Sequence, residues 1–367
     1  MKARILLELV YFFLFSDLLK KRNVKFVVCS DNVYRYGLLF ELARENSIPC
    51  ISPVSLNGFS MTYYRGINDY DHFCRAADLS CVNEIDVLVA QKYLASYFKD
   101  RYSANIEHHD VLLAYSDKKK ELSREELYEQ YDLNPKLPIV ILMAHIFSDA
   151  PHSYPSLLFN DYHDWFVNSV KSLVKNENVN FIVKEHPSAH LYNEEGIVKT
   201  ILKGYGLENK LLKEDVHNLT VLNSVDIVVT CGGTIGQEFS YMKKPVLLAA
   251  KPPYSGYGFT VEPESKAEYM NILSTSIQSL ERLNMKQYEL VLKVLYYDFV
   301  LMDNYEDDIE LGGQKHYLGR KFDYDCFYSS IINDNLKNYR DQIMYKKLDT
   351  LLQGNNKHIL NIMSPKL

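Results

Sequence analysis

The chain reads as an α/β protein with parallel sheets, and three observations predict it. Strand-like and helix-like segments alternate from residue 4 to Ser52 and again over 138–249, the order that crossover connections between parallel strands require. One strand-like stretch, Pro138 to Phe147, is a continuous apolar run broken only by His145, as expected where helices cover both faces of a sheet. Finally, nearly every unusual residue falls in the loops after Phe147, Lys184, Thr230 and Ala249, the strand ends at which open parallel sheets bind ligands. Two such units in tandem imply two facing Rossmann-like halves, with a polar, mostly helical stretch over 265–367.

Taken in order, the chain opens on a helix over 4–20, a strand from Val24 to Ser30, a helix over 33–46 and a short strand around Pro49 to Ser52. Residues 53–80 are loop-rich, with Gly58, Gly66 and several aromatics. Helix signals return at 83–100, where Val87, Leu88, Ala90, Tyr93 and Leu94 recur at helical spacing. Charge concentrates over 117–136, and Ser123 with Glu126 forms a capping box that starts a short helix before Pro135. The expected divisions are therefore an N-terminal domain over 1–116, a linker over 117–136, a second domain over 137–285, and C-terminal helices over 286–367. Within the second domain the pattern predicts strand 138–147, helix 161–175, strand Asn180 to Lys184, helix 193–204 and a short strand near 209–213. A helix ending near Asn223, strand Val225 to Thr230, helix 234–243 and strand Pro245 to Ala249 follow.

With 367 residues and 47% hydrophobic content, the chain can bury a sizeable core. A net charge of −6 leaves no global basic field to recruit nucleic acid or anionic lipid, and the Lys118 to Lys120 run, flanked by Asp117 and Glu121, reads as a solvated face. The six cysteines show no Cys-x-x-Cys spacing, so reduced thiols in the cytoplasm are expected. The apolar run from Ile5 to Leu19 is interrupted by Glu8 and Asp17, lacks a small-residue cleavage site and falls short of the roughly twenty residues a spanning helix needs. It reads as a core-facing helix. The 29 tyrosines reflect compositional bias and amphipathic surface more than sugar stacking.

Four loops offer chemistry. Cys231-Gly-Gly-Thr234 pairs glycines that let backbone approach a ligand, at the start of a helix whose free N–H groups favour an anion such as phosphate. Glu238, one turn after Thr234, is placed to accept from ribose or sugar hydroxyls, or to complement the helix end. A dinucleotide fingerprint is excluded: Cys231 stands where a glycine is required, and no acid follows the next strand. Lys184, Glu185 and His186 close another strand, and Pro187 holds His186 extended, fit to donate to phosphate or transfer a proton. Ser148, Asp149 and His152 follow the 138–147 strand, with Asp149 the expected base for an acceptor hydroxyl or a nucleophile. Tyr254 and Tyr257, in a glycine-bearing loop after Ala249, are placed to close over a base or sugar. The acidic stretch Asp303 to Glu310 lacks calcium-loop spacing and reads as solvated.

Lys184-Glu-His-Pro187 and the stretch Asn223 to Val246 resemble the C-terminal donor domain of GT-B glycosyltransferases over about 138–260. The nearest resemblance is to bacterial capsule and surface-polysaccharide enzymes, including the capsule Kdo transferases; polysialyltransferases and teichoic-acid CDP-glycerol polymerases are more distant. The resemblance implies that a His-Pro motif and a later Ser/Thr loop contact the phosphates of a CMP- or CDP-activated donor. His186, Pro187 and Thr234 occupy the matching positions, and Glu238 with Lys244-Pro245 fits the wider pattern; Gly232-Gly233-Thr234 stands where several relatives carry serines. It further implies that 1–116 is the acceptor domain, that 137–285 is the nucleotide-sugar donor domain and that the helices of 286–367 cross back to the first, in a cytoplasmic transferase peripheral at the inner membrane face or with capsule assembly proteins. That enzyme moves Kdo or another acidic sugar to a capsular or lipopolysaccharide glycan or glycolipid, with no cofactor beyond the nucleotide-sugar and no metal. The competing readings are a nucleotide-sugar epimerase or hydrolase and a non-catalytic glycan-binding export protein.

Overall fold

The computed structural model describes residues 2–29, 33–53, 61–64, 82–105, 109–150 and 156–301. The chain divides into two compact units, Met1–Cys74 with Asp298–Leu367, and Arg75–Tyr297. These divisions differ from those expected at 116 and 136, because the segment 82–136 packs within the second unit. The acidic stretch Asp303 to Glu310 lies outside the described residues, as do Cys74, Cys81 and Cys326; Cys29, Cys50 and Cys231 are buried.

The described part of the first unit runs α1 (Lys2–Lys21), β1 (Val27–Val28), α2 (Tyr34–Glu45), β2 (Cys50–Pro53) and β3 (Met61–Tyr64). β1 and β2 pair in parallel, Val27 opposite Cys50, while β3 runs antiparallel to β2, Cys50 opposite Tyr64. This sheet is therefore mixed, and β3 falls in a stretch read as loop. Among the described residues its core is formed by Leu19, Val27, Cys29, Phe40, Leu42, Ala43 and Cys50. Burial pushes the Cys50 thiol up to about 12, which keeps it protonated. Helix α1 meets this core only along one stripe, and Leu6 and Phe13 are 64% and 66% exposed. The expectation of a core-facing helix is corrected here: among the described residues only a stripe ending at buried Leu19 is covered, and most of the apolar side chains of α1 stay exposed.

The second unit contains α3 (Val87–Tyr102), α4 (His109–Ala114), α5 (Arg124–Gln130), β4 (Ile139–Met143), α6 (Tyr162–Leu173) and β5 (Asn180–Lys184). It continues with α7 (Ile197–Gly204), α8 (Asn218–Ser224), β6 (Ile227–Thr230), α9 (Ile235–Tyr241), β7 (Val246–Leu248), α10 (Lys266–Asn271) and α11 (Met285–Tyr296). Four strands lie in the order β5-β4-β6-β7, all parallel. Every strand residue except Met143 is buried, as a doubly covered sheet requires. On one face Val140, Leu142, Val183, Val229 and Leu247 pack against Trp165 and Phe166 of α6, Leu202 of α7 and Tyr269 of α10. There the Trp165 indole N–H donates to the Tyr269 hydroxyl at 2.8 Å, satisfying the polar atom of a fully buried ring.

The 117–136 stretch is bound to this sheet rather than strung between domains. The capping box at Ser123 and Glu126 forms as read. Beyond it, Arg124 makes a two-pronged ion pair with Asp226, whose carboxylate also accepts the Ile139 amide at the start of β4. Lys120 exchanges backbone bonds with Asp215 and His217, and Leu127 is fully buried. Charge clustering marked a docked segment whose arginine has a partner a hundred residues away.

Candidate active site

In the second unit's sheet the chain leaves β4 for β5 on one side and later returns to the other side of β4 as β6. That reversal opens a crevice beyond the carboxyl ends of β4 and β6, the general ligand position of such sheets. A cavity lies there. Its walls are Met143, Ala144 and His145 after β4, His186 and Pro187 after β5, and Thr230, Gly233, Thr234 and Ile235 after β6. Asn218 and Glu238 complete it from the helices, with Arg101, Val111, Ala114 and Tyr115 from the segment 101–115.

Two histidines share the cavity, with ring centroids 6.1 Å apart. The Ser188 amide donates to Nδ1 of His186 at 3.2 Å, so in the neutral ring the proton sits on Nε2. His145 has the opposite arrangement: its Nδ1 donates to the Ile146 carbonyl at 3.0 Å, which leaves Nε2 as the basic nitrogen. Stacking on Tyr162, centroids 4.1 Å apart, fixes the His145 ring. The pair thus presents one hydrogen-bond donor and one base.

The glycine loop is built differently from expectation. The amides of Gly232 and Gly233 donate to Thr230 Oγ1 at 3.4 and 3.1 Å, so they are engaged within the chain. The amides of Thr234 and Ile235 have no partner among the described residues, and both residues line the cavity. Because α9 spans only Ile235–Tyr241, an anion here meets two local amides and the exposed Thr234 side chain rather than the dipole of a long helix. Gly236 meets a strict requirement, since a Cβ there would collide with the Tyr254 hydroxyl.

Tyr254 is buried and its hydroxyl donates to the Gly233 carbonyl at 2.6 Å, bracing the loop from beneath. Tyr257 stacks on Phe259. Neither lines the cavity.

Glu238 reaches the cavity wall, but its carboxylate is taken up. Arg101 donates to one oxygen at 2.8 Å, and the Tyr115 hydroxyl donates to the other. Burial alone would lower the Arg101 pKa; the charge of Glu238, then Tyr97 and Tyr115, outweigh it and hold the guanidinium firmly protonated. Burial first, then the Glu238 charge, raises the Tyr115 phenol well above its usual range. The expected ribose contact of Glu238 thus competes with an internal ion pair. Beside it, Asn218 is 7% exposed and its Oδ1 has no hydrogen-bond partner among the described residues.

Other sequence-derived candidates lie off the cavity. Lys184 is buried with Nζ donating to the Val216 carbonyl at 2.9 Å; burial and then Lys119 lower its pKa to about 7. Glu185 accepts the Gly196 amide, and burial raises its pKa. The Phe147 and Ser148 amides are clamped by Glu194 at 2.6 and 2.7 Å. Ser148 is exposed and Asp149 half-buried, and neither lines the cavity. His152 lies outside the described residues. Lys244 donates to the carbonyls of Leu222, Asn223 and Val225, closing the end of α8.

Of the named candidates, the cavity gathers His186, Pro187, Gly233, Thr234 and Glu238. It adds His145, whose signal was its isolation in an apolar strand, and Arg101, Tyr115 and Asn218, which carry no local motif and meet only through tertiary contacts. The family of capsule polysaccharide biosynthesis proteins matches residues 69–288, more than half of the chain. No curated protein matches significantly. Among solved structures, a β-Kdo 2,4 transferase, KpsC of Thermosulfurimonas dismutans, is 15% identical with TM-score 0.42, covering 71% of this chain and 76% of its own. A β-Kdo 2,7 transferase, also KpsC of that organism, is 16% identical with TM-score 0.35, covering 76% and 79%. MnaA of S. aureus with UDP is 12% identical with TM-score 0.31, covering 78% and 75%. Likeness at these scores carries no functional weight.

Proposed function

We propose, since the chain belongs to the capsule polysaccharide biosynthesis protein family, that it is a GT-B glycosyltransferase moving a sugar from a nucleotide donor to a capsular or lipopolysaccharide glycan. The donor is CMP- or CDP-linked, with Kdo or another acidic sugar as its cargo, and the reaction takes place on the cytoplasmic side. One observation carries the reading: His186 Nε2–H, the amides of Thr234 and Ile235, and the His145 base all border one cavity at the sheet's switch point.

In the transfer, an acceptor hydroxyl oxygen bonds to the anomeric carbon as the bond from that carbon to the donor phosphate breaks. The hydroxyl proton passes to His145, or to Asp149 further along the same loop. Negative charge grows on the departing phosphate, where His186 and the two amides donate hydrogen bonds; such preorganised donors supply the largest electrostatic contribution in many enzymes. These donors perform the neutralisation that a metal would otherwise provide, so turnover is expected to survive chelation by EDTA. The nucleotide's polar edge meets Asn218.

The decisive experiment is a thermal-shift panel with CMP, CDP, UDP and GDP, since a ligand that binds only the folded state raises its melting temperature. CMP or CDP should give the largest shift, followed by sugar transfer that requires added glycan. A shift with UDP or GDP alone overturns the cytidine assignment, and release of free sugar without acceptor overturns transfer in favour of hydrolysis.

A further inference from the structure

Helix α1 carries more apolar surface than the described residues of the first unit cover. At about 100° of rotation per residue, Glu8, Tyr11, Phe15 and Leu19 fall on one narrow stripe. Leu19 is buried, the other three are half-buried, and Phe15 packs against the described core of the first unit. The remaining arc of about 240° bears nine exposed large apolar side chains between Ile5 and Leu18. The acid that interrupts the apolar run, Glu8, lies on the docked stripe, so the outward arc from Ile5 to Leu14 is free of charge. Charge gathers instead at the helix end. Lys20, Lys21, Arg22 and Lys25 are all exposed, and Asp17 offsets only Lys21, at 2.7 Å.

Two occupants compete for this surface, a second copy of the chain and a lipid bilayer. A helix seated in a protein seam needs an apolar stripe of roughly 100°, less than half of what α1 exposes, whereas acyl chains wrap whatever arc they meet. The local cluster of four basic residues favours anionic headgroups, although the chain as a whole is net negative. No described helix is long and apolar enough to cross a membrane. The uncharged arc from Ile5 to Leu14 is about 15 Å long, half of the roughly 30 Å hydrocarbon core. We propose that α1 is an interfacial anchor lying in the surface of an anionic bilayer, its open arc among the acyl chains and Lys20, Lys21, Arg22 and Lys25 against the headgroup phosphates. The inference rests on the first unit alone and stands whether or not the donor reading does.

The test is co-sedimentation of the full chain with vesicles of phosphatidylcholine alone and of phosphatidylcholine mixed with phosphatidylglycerol. Wild type should pellet with the mixed vesicles. The double variant Leu6→Ser/Phe13→Ser should lose at least about tenfold in vesicle affinity with an unchanged melting temperature, both positions being exposed. Lys20→Glu with Lys21→Glu should abolish the preference for the anionic vesicles. Failure of wild type to pellet, undiminished binding of the serine variant, or unchanged lipid preference in the charge variant each overturns the proposal. So does a concentration-dependent dimer that the serine variant dissociates while wild type ignores vesicles, since that identifies a second copy as the occupant.

Discussion

Arg101 and Glu238, 137 residues apart, form an ion pair at the wall of the cavity, with Nε and a terminal nitrogen both 2.8 Å from one carboxylate oxygen. The side chains are only 10% and 3% exposed, so the pair is held in a low-dielectric setting and locks α3 to α9. Breaking such a pair leaves a buried charge uncompensated. Arg101→Ala should therefore cost about 3–5 kcal/mol, while the double substitution Arg101→Met/Glu238→Met should recover most of it. Urea unfolding of the three proteins checks this, and a single-variant loss below about 1 kcal/mol would be the value of an exposed pair and refute the burial.

Asn218 gives a prediction of opposite sign for folding and for binding. A buried acceptor without a partner costs about 1–3 kcal/mol, so Asn218→Ala should leave the melting temperature unchanged or raised. If the side chain instead meets the donor's polar edge, the same variant should lose most of the nucleotide-induced shift. A fall in melting temperature without ligand would reveal an internal partner for the amide and remove its assigned role.

The four strands of the second unit were legible because each is a short apolar run bounded by polar or glycine residues, and Asn180 to Lys184 matches to the residue. The His-Pro loop was legible for the same reason. The Arg101, Tyr115 and Asn218 contributions were not, since the contacts that give them meaning join segments about a hundred residues apart. The sequence points the amides of Gly232 and Gly233 at a ligand, yet Thr230 Oγ1 takes up both, although Gly233 itself lines the cavity; the pattern does not distinguish an amide turned to a ligand from one turned to its own strand. Helix α1 shows a third limit. Apolar content without a clear stripe marks contact with something apolar, but does not say whether that is core or surroundings.

His145 and Asp149 compete for the acceptor proton, and kinetics can separate them. His145 lines the cavity with a basic Nε2, whereas Asp149 sits beyond a loop clamped by Glu194. Loss of a general base costs on the order of 10²–10⁴-fold in rate. His145→Gln should lower kcat by that order with the nucleotide thermal shift intact, and Asp149→Asn should be milder. The reverse ranking would return the base to Asp149. His186→Ala should reduce both the nucleotide shift and kcat, because its Nε2–H is assigned to the phosphate in the ground state as well as at departure.

Lys184 should imprint a pH dependence on stability rather than on catalysis. Burial, and then the neighbouring charge of Lys119, lower its pKa in the folded protein to about 7, with Asp215 and Glu214 pulling the other way. In the unfolded chain the amine keeps its proton up to about 10.4. Between those values the unfolded state binds more protons than the folded one, so the free energy of unfolding rises with pH across the window. Below about 7 both states are protonated, and the full cost of a buried ammonium is present. Lys184→Met removes this contribution and leaves the Val216 carbonyl without its donor, a loss of about 1–3 kcal/mol that does not vary with pH. The slope is thus the diagnostic quantity. Denaturant unfolding at a series of pH values from neutral to mildly alkaline should show wild type gaining stability relative to Lys184→Met; a difference that stays flat across that range would mean the amine keeps its proton in the folded state and is better solvated than its burial implies.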